Sequence, residues 1–143
     1  SRLAEILNEE RCTGLNDPET MHEFRSRCET SRDSLVTLVK DLRNSNKQVV
    51  GYGAATKSTI MLNYTKLGQH DLDYIVDSTP SKHGKYSPGM HVPVMSPNYF
   101  RGHYPDYAII FPWNHFGEIS EKEAAFQMEG GRWILPFLSP EVR

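Results

Sequence analysis

The sequence predicts an α/β protein, with a parallel sheet of about five strands flanked by helices and preceded by a long helical segment. Three observations lead there. Short apolar, β-branched runs at Gln48–Tyr52, Leu72–Asp77, Val92–Met95, Tyr107–Phe111 and Arg132–Pro136 alternate with helical stretches. That alternation implies parallel strands joined by right-handed crossovers. The first run meets Gly51-Tyr52-Gly53 and a helix then begins, which makes the junction Rossmann-like. Finally, Tyr107-Ala108-Ile109-Ile110-Phe111 is apolar without alternation, as a strand covered on both faces requires.

The elements follow in order. Arg2–Cys12 reads as a helix with Leu3, Ile6 and Leu7 on one face, and Gly14 is a plausible stop. Asp17-Pro18-Glu19 starts a second helix with an N-cap residue, a proline at the first position and an acid in the first turn. Met21, Phe24, Cys28, Ser31, Leu35, Leu38 and Leu42 then recur at steps of three and four, a stripe of about seven turns reaching about Asn44. Ser31 interrupts any coiled-coil seam. A stripe this long is expected to pack partly on the domain and partly on something outside it. Residues 1–47 are therefore assigned to a helical connector and 48–143 to the sheet domain.

Within that domain a helix is expected from Thr56 to Lys66, ending near Gly68. Ser78–His91 holds two prolines, two glycines and no apolar periodicity, so it reads as a long loop, and such loops inside compact domains are usually functional or disordered. Ser96-Pro97-Asn98 starts a short helix. Pro112-Trp113-Asn114 breaks the fourth strand, one helix is expected from Phe116 to Met128, and Gly130-Gly131 turns into the last strand.

Bulk properties narrow the function. The 143 residues carry a net charge of −2, which gives no global attraction to nucleic acid or to a membrane. No apolar run reaches membrane-spanning length, and a cytoplasmic location is expected. Cys12 and Cys28 are expected as packing residues or free thiols, and no metal-ligand spacing appears.

If the first strand is central, three unusual segments should converge beyond the strand ends, where parallel sheets bind ligands. The first is the turn containing Gly51, Gly53, Ala54 and Lys57. Its glycines either let backbone N–H groups approach an anion at a helix start or simply make a tight turn. Lys57 follows as a point charge for a phosphate, or as an exposed helix lysine. The second segment begins at Asp77, about 24 residues past the glycines, where such folds keep an acid for ribose hydroxyls. It continues through Lys82, His83, Lys85 and Tyr86, which suit a pyrophosphate or a base if the loop is not merely mobile. In the third, Trp113 could stack on a base or sugar and Asn114 could hydrogen-bond it; core packing is the alternative. His91 and His103 are expected to be structural, and no catalytic residue is assigned.

Together these segments resemble a known family. Gly51-Tyr52-Gly53-Ala54-Ala55-Thr56-Lys57, with Leu62-Asn63-Tyr64 after it, is similar to one motif of the carboxy-terminal domain of S-adenosylmethionine-dependent sugar C-methyltransferases. The stretch from Val76-Asp77-Ser78-Thr79-Pro80 through Lys82-His83-Gly84-Lys85-Tyr86 to Pro93-Val94 is similar to a second. Pro105-Asp106-Tyr107 leading to Pro112-Trp113-Asn114, and Gly130-Gly131 leading to Pro136, complete the resemblance. It implies a three-part enzyme, with an amino-terminal zinc domain, a middle methyl-donor domain, and this domain helping to hold a nucleoside-diphosphate sugar. It implies that S-adenosylmethionine is bound upstream, that this part alone needs no cofactor and is not catalytic, and that the start at Ser1 marks an excised piece. The upstream domain or a second copy, as a homodimer, would cover the exposed stripe. Two other classes stay open: an NAD(P)-binding oxidoreductase domain, which Gly51, Gly53 and Asp77 favour and Thr56 disfavours, and a non-catalytic interaction module built on the long helix.

Overall fold

In the computed structural model, which describes residues 1–137 and 139–143, six strands form one sheet. They are β1 (Val49–Tyr52), β2 (Ile75–Val76), β3 (Val94–Met95), β4 (Tyr107–Ile110), β5 (Arg132–Leu135) and β6 (Glu141–Val142), in the spatial order β3-β2-β1-β4-β5-β6. The first five run parallel, and β6 adds antiparallel to β5. The expected Rossmann-like architecture is present, with β1 central between β2 and β4. Strand β6 goes beyond it: two exposed residues carry no alternation to read.

Side-chain alternation divides the core between the two sheet faces. Val49 of β1, Ile75 of β2, Ile109 of β4 and Ile134 of β5 face one side. Two helices cover them, α2 (Pro18–Asn44) through Leu35 and Val39, and α3 (Thr56–Thr65) through Leu62. Val50, Val76, Ala108 and Ile110 face the other side. There Phe100 of α4 (Pro97–Gly102) and Phe126 of α6 (Ala124–Met128) surround Trp133 of β5, with ring centroids 6.3 and 4.9 Å from it. Both faces of β4 are thus covered, which is why its sequence shows no polar alternation.

Some boundaries differ from expectation. β2 and β3 pair over two residues each, so Leu72 and Val92 pack in the core from outside the ladder. The helix expected over Phe116–Met128 is two, α5 (Phe116–Lys122) and α6, broken at Glu123. That carboxylate is 1 % exposed because it turns inward to Tyr52 and Arg101, and the chain bends to deliver it.

The stripe on α2 behaves as its length implies. Leu35 and Val39 are buried, whereas Met21 and Phe24 are exposed. Asp17 stands at the N-cap, although its carboxylate makes no capping bond. The first helix, α1 (Arg2–Cys12), buries no residue at all and leaves Leu3, Ile6 and Leu7 in solvent.

Candidate functional site

Strand order reverses between β1 and β4, and the crevice beyond their carboxyl ends is the place for a ligand in an open α/β sheet. The β1–α3 turn, the loop after β2 and the Pro112-Trp113-Asn114 segment after β4 all meet there.

The glycines of the turn are explained by packing. A Cβ on Gly51, inside β1, would stand 2.6 Å from the Phe111 ring. Gly53 has φ +92°, which strains any L side chain, and a Cβ there would stand 2.5 Å from Cδ of Pro112. The turn's own N–H groups are also engaged. Gly53 donates to the Val76 carbonyl at 2.7 Å, Ala54 to Oδ2 of Asp77 at 2.9 Å, and Ala55 to Oγ of Ser58 at 2.9 Å. The groups left for an anion are one step further on, the first-turn amides of α3 at Thr56, Lys57 and Ser58, which have no intrahelical acceptor.

Asp77 is a tie point. It is 8 % exposed and accepts from the N–H groups of Ala54 and, at 2.8 Å, Thr79, and from Nζ of Lys82 at 3.2 Å. Burial pushes its carboxyl pKa up, but the bonds from Thr79 and Lys82 outweigh that and hold it below the ordinary range. Its oxygens therefore hold the turn together where a nucleotide fold would offer them to ribose. Lys82 is locked in the same knot, donating to the Ala54 carbonyl at 2.7 Å as well.

The loop from Ser78 to His91 is anchored along its length. The His83 ring bonds the Asp77 carbonyl through Nε2 at 2.8 Å, and Gly84 and Lys85 pair with Val94 across the loop. Asn63 of α3 donates to the Pro88 carbonyl at 3.0 Å, and at Gly89, φ +81°, a Cβ would overlap the Asn63 amide. Asn63 belongs to the Leu62-Asn63-Tyr64 motif and Gly89 to the loop, yet nothing in the sequence alone marks either as a site residue. Only the contact of Asn63 with Pro88 and Gly89, from across the chain, reveals the role.

The remaining candidates fall on two sides of the head of α3. Lys85 and Tyr86 are exposed on one side, where with Ala54, Ser58, Thr59 and Lys82 they line a hollow of about 260 Å³. On the other side Lys57 donates to Oδ1 of Asn114 at 2.5 Å, with its ammonium 4.5 Å from the centre of the Trp113 ring. Trp113 also lines a second cleft, of about 340 Å³, between α2, α3 and the ends of β4 and β5. The expected single cleft is thus two hollows separated by a helix start. The second one draws on Phe24, Arg32, Tyr64 and Phe137, which sequence reasoning does not bring together because they lie far apart in the chain.

This arrangement, a parallel sheet with its unusual loops gathered where strand order reverses, defines a Rossmann-like α/β domain. The chain belongs to the C-methyltransferase C-terminal domain family, which it matches over residues 1–137. It is also similar to C-methyltransferase NovU of Streptomyces niveus, 39 % identical over 140 residues, an overlap of 98 % of this chain and 33 % of that protein. The chain spans about a third of the length of that curated relative. Among the described residues, no helix is long and apolar enough to cross a membrane.

Proposed function

We propose that this chain is the nucleotide-sugar-binding part of an S-adenosylmethionine-dependent sugar C-methyltransferase, and that by itself it transfers no methyl group. One observation carries the reading. Three sequence motifs meet at the strand-order reversal around the start of α3, where first-turn amides, Lys57 and, across the helix head, Lys85 favour a diphosphate. Gly51, Gly53, Ala54, Asp77 and Lys82 shape this site from beneath. Lys85 and Tyr86 form one wall, and Trp113 and Asn114 stand opposite.

S-adenosylmethionine and NAD both call for an acid that is open to ribose hydroxyls, and Asp77 is buried and engaged by Ala54, Thr79 and Lys82. These residues do not fit either group. The methyl donor is accordingly assigned to another part of the polypeptide, and the oxidoreductase reading loses its main support.

The test is titration of the chain with a thymidine-diphosphate sugar, NAD and S-adenosylmethionine separately, then with Lys57→Ala and Lys85→Ala. The sugar nucleotide should bind, each variant weakening it about tenfold or more through loss of a charged hydrogen bond. Tight NAD binding with no response to the sugar nucleotide would refute the proposal. So would methyl transfer to a nucleotide sugar by the purified chain alone.

A further inference from the structure

The cleft between α2, α3 and the ends of β4 and β5 is an open apolar groove, and α1 is a helix whose apolar face touches nothing. We propose that they are two halves of one contact: α1 of one copy lies in the cleft of a second copy, and the exchange is reciprocal. Leu3, Ile6 and Leu7 share one face of α1, and Glu10 continues that face one turn further on. These are the i, i+3, i+4 and i+7 positions by which a helix engages an apolar groove. All three apolar side chains are exposed. The groove offers the exposed rings of Phe24, Tyr64 and Phe137, together with Met61 and Trp113.

Charge selects the partner. Arg27 and Arg32 line the cleft. Arg32 is paired with Asp33 at 2.7 Å, and Glu29, on the same stretch of α2, is paired with Arg25 at 2.9 Å. Arg27 has no carboxylate partner among the described residues, and its guanidinium lies 6.0 Å from the centre of the Phe24 ring. Glu10 has no cationic partner among them either. A helix whose apolar face ends in an acid thus matches a groove whose rim holds an unpaired arginine, and this chain supplies both.

The turn after α1 keeps the helix from its own cleft. Gly14, at φ +65°, donates to the Arg11 carbonyl at 3.1 Å, and Leu15 donates to that of Glu10 at 3.2 Å, which closes α1 with a Schellman cap. Asp17 donates to the Gly14 carbonyl at 3.0 Å and ties that cap to the start of α2. Held this way, α1 buries no residue and contributes none to the lining of the cleft. A second copy is not so constrained. Because one chain carries both arm and groove, the contact is made twice about a twofold axis and the pair closes.

The experiment is sedimentation of the wild type, of Glu10→Arg, of Arg27→Glu, and of an equimolar mixture of the two variants. Neither side chain belongs to the core or to the crevice at the head of α3. Each variant alone should need about tenfold more protein to associate, since both contacts of its dimer then oppose like charges. The mixture should regain wild-type association, because the new arginine faces the new glutamate and the untouched pair re-forms. Variants that associate like wild type, or a mixture as weak as its components, would overturn the inference. A wild type that stays monomeric at every concentration would do the same. Melting of the dilute proteins is the second readout, and it should be unchanged throughout. A melting temperature lowered in each variant and restored when both changes share one chain would put the arm in its own cleft, and would refute the exchange.

Discussion

At the scale of single residues, the site region is held by a few carboxylates whose partners are distant in sequence. Asp77 ties the glycine turn to the following loop, and Asp106 ties β1 to β4 by accepting from the Gln48 N–H at 2.8 Å and from Lys47 at 3.0 Å. For Asp106 the bond from Gln48 is the largest influence and lowers the pKa below its ordinary 3.8, against the smaller effect of burial. A carboxyl with a lowered folded pKa stabilises the fold above its unfolded value and loses that contribution as pH falls through the folded one. Urea denaturation should therefore show stability declining below about pH 4. Asp77→Asn should cost about 1.5–3 kcal/mol at neutral pH, because an amide places a donor against one of the Ala54 and Thr79 N–H groups. The variant should also lose less than wild type across the acid window. A flat acid profile in wild type would contradict this account.

Glu123 is a second such residue. It is buried, accepts from the Tyr52 hydroxyl at 2.9 Å, and holds Arg101 through two bonds of 2.9 and 2.7 Å. The Arg101 side chain remains 41 % exposed, so on Glu123→Gln the guanidinium can turn to water. The expected loss is about 1–3 kcal/mol, below the usual cost of breaking a fully buried pair. Thermal denaturation checks it. Gly53 and Gly84 make a matched comparison, since both have positive φ but only Gly53 lies against Pro112. Gly53→Ala should be clearly more destabilising than Gly84→Ala, and equal costs would mean that strain alone acts.

At the scale of elements, the loop after β2 differs most from its sequence character. A stretch of serines, prolines, glycines and lysines has too little apolar surface to order itself. Its order is borrowed from Asp77, from the pairing of Lys85 with Val94, and from the Asn63 amide on α3. Asn63→Ala should therefore speed amide exchange through Gly84–His91 while β1 and β4 keep their protection. Unchanged exchange in that segment would remove Asn63 as its anchor. The break between α5 and α6 has the same origin, a side chain drawn inward by a partner 71 residues away.

At the scale of the whole molecule, α1 lies on the fold without packing into its core. Isolated helices shorter than about 12–15 residues are marginal in water, and α1 has 11 residues, none of them buried. Leu3, Ile6, Leu7, Leu15 and Met21 form exposed apolar surface of the kind that marks a contact. In the chain alone a second copy is the available cover, so sedimentation should depend on concentration. Ile6→Lys should abolish that dependence without changing the melting temperature of the dilute protein, because Ile6 supports no core. A monomer at every concentration would oppose this.

The sequence by itself determined the class and order of elements. Unbroken apolar runs, the Asp17-Pro18 start, the three-and-four stripe on α2 and the Gly51–Lys57 turn are local signals, complete within a few residues. Summed, they also made the family legible. Only the tertiary structure decided what the candidate residues do. Asp77 and Lys82 look open to a ligand in one dimension, but folding spends them on Ala54 and Thr79. Gly51 and Gly53 look like a phosphate cradle, but Phe111 and Pro112 occupy their free side. Of the aromatic cleft only Trp113 was legible, because Phe24, Tyr64, Trp113 and Phe137 lie far apart in the chain and meet only when α2, α3 and the ends of β4 and β5 pack together. Backbone periodicity is written in neighbours, whereas a site is made of side chains that only packing brings within reach of one another.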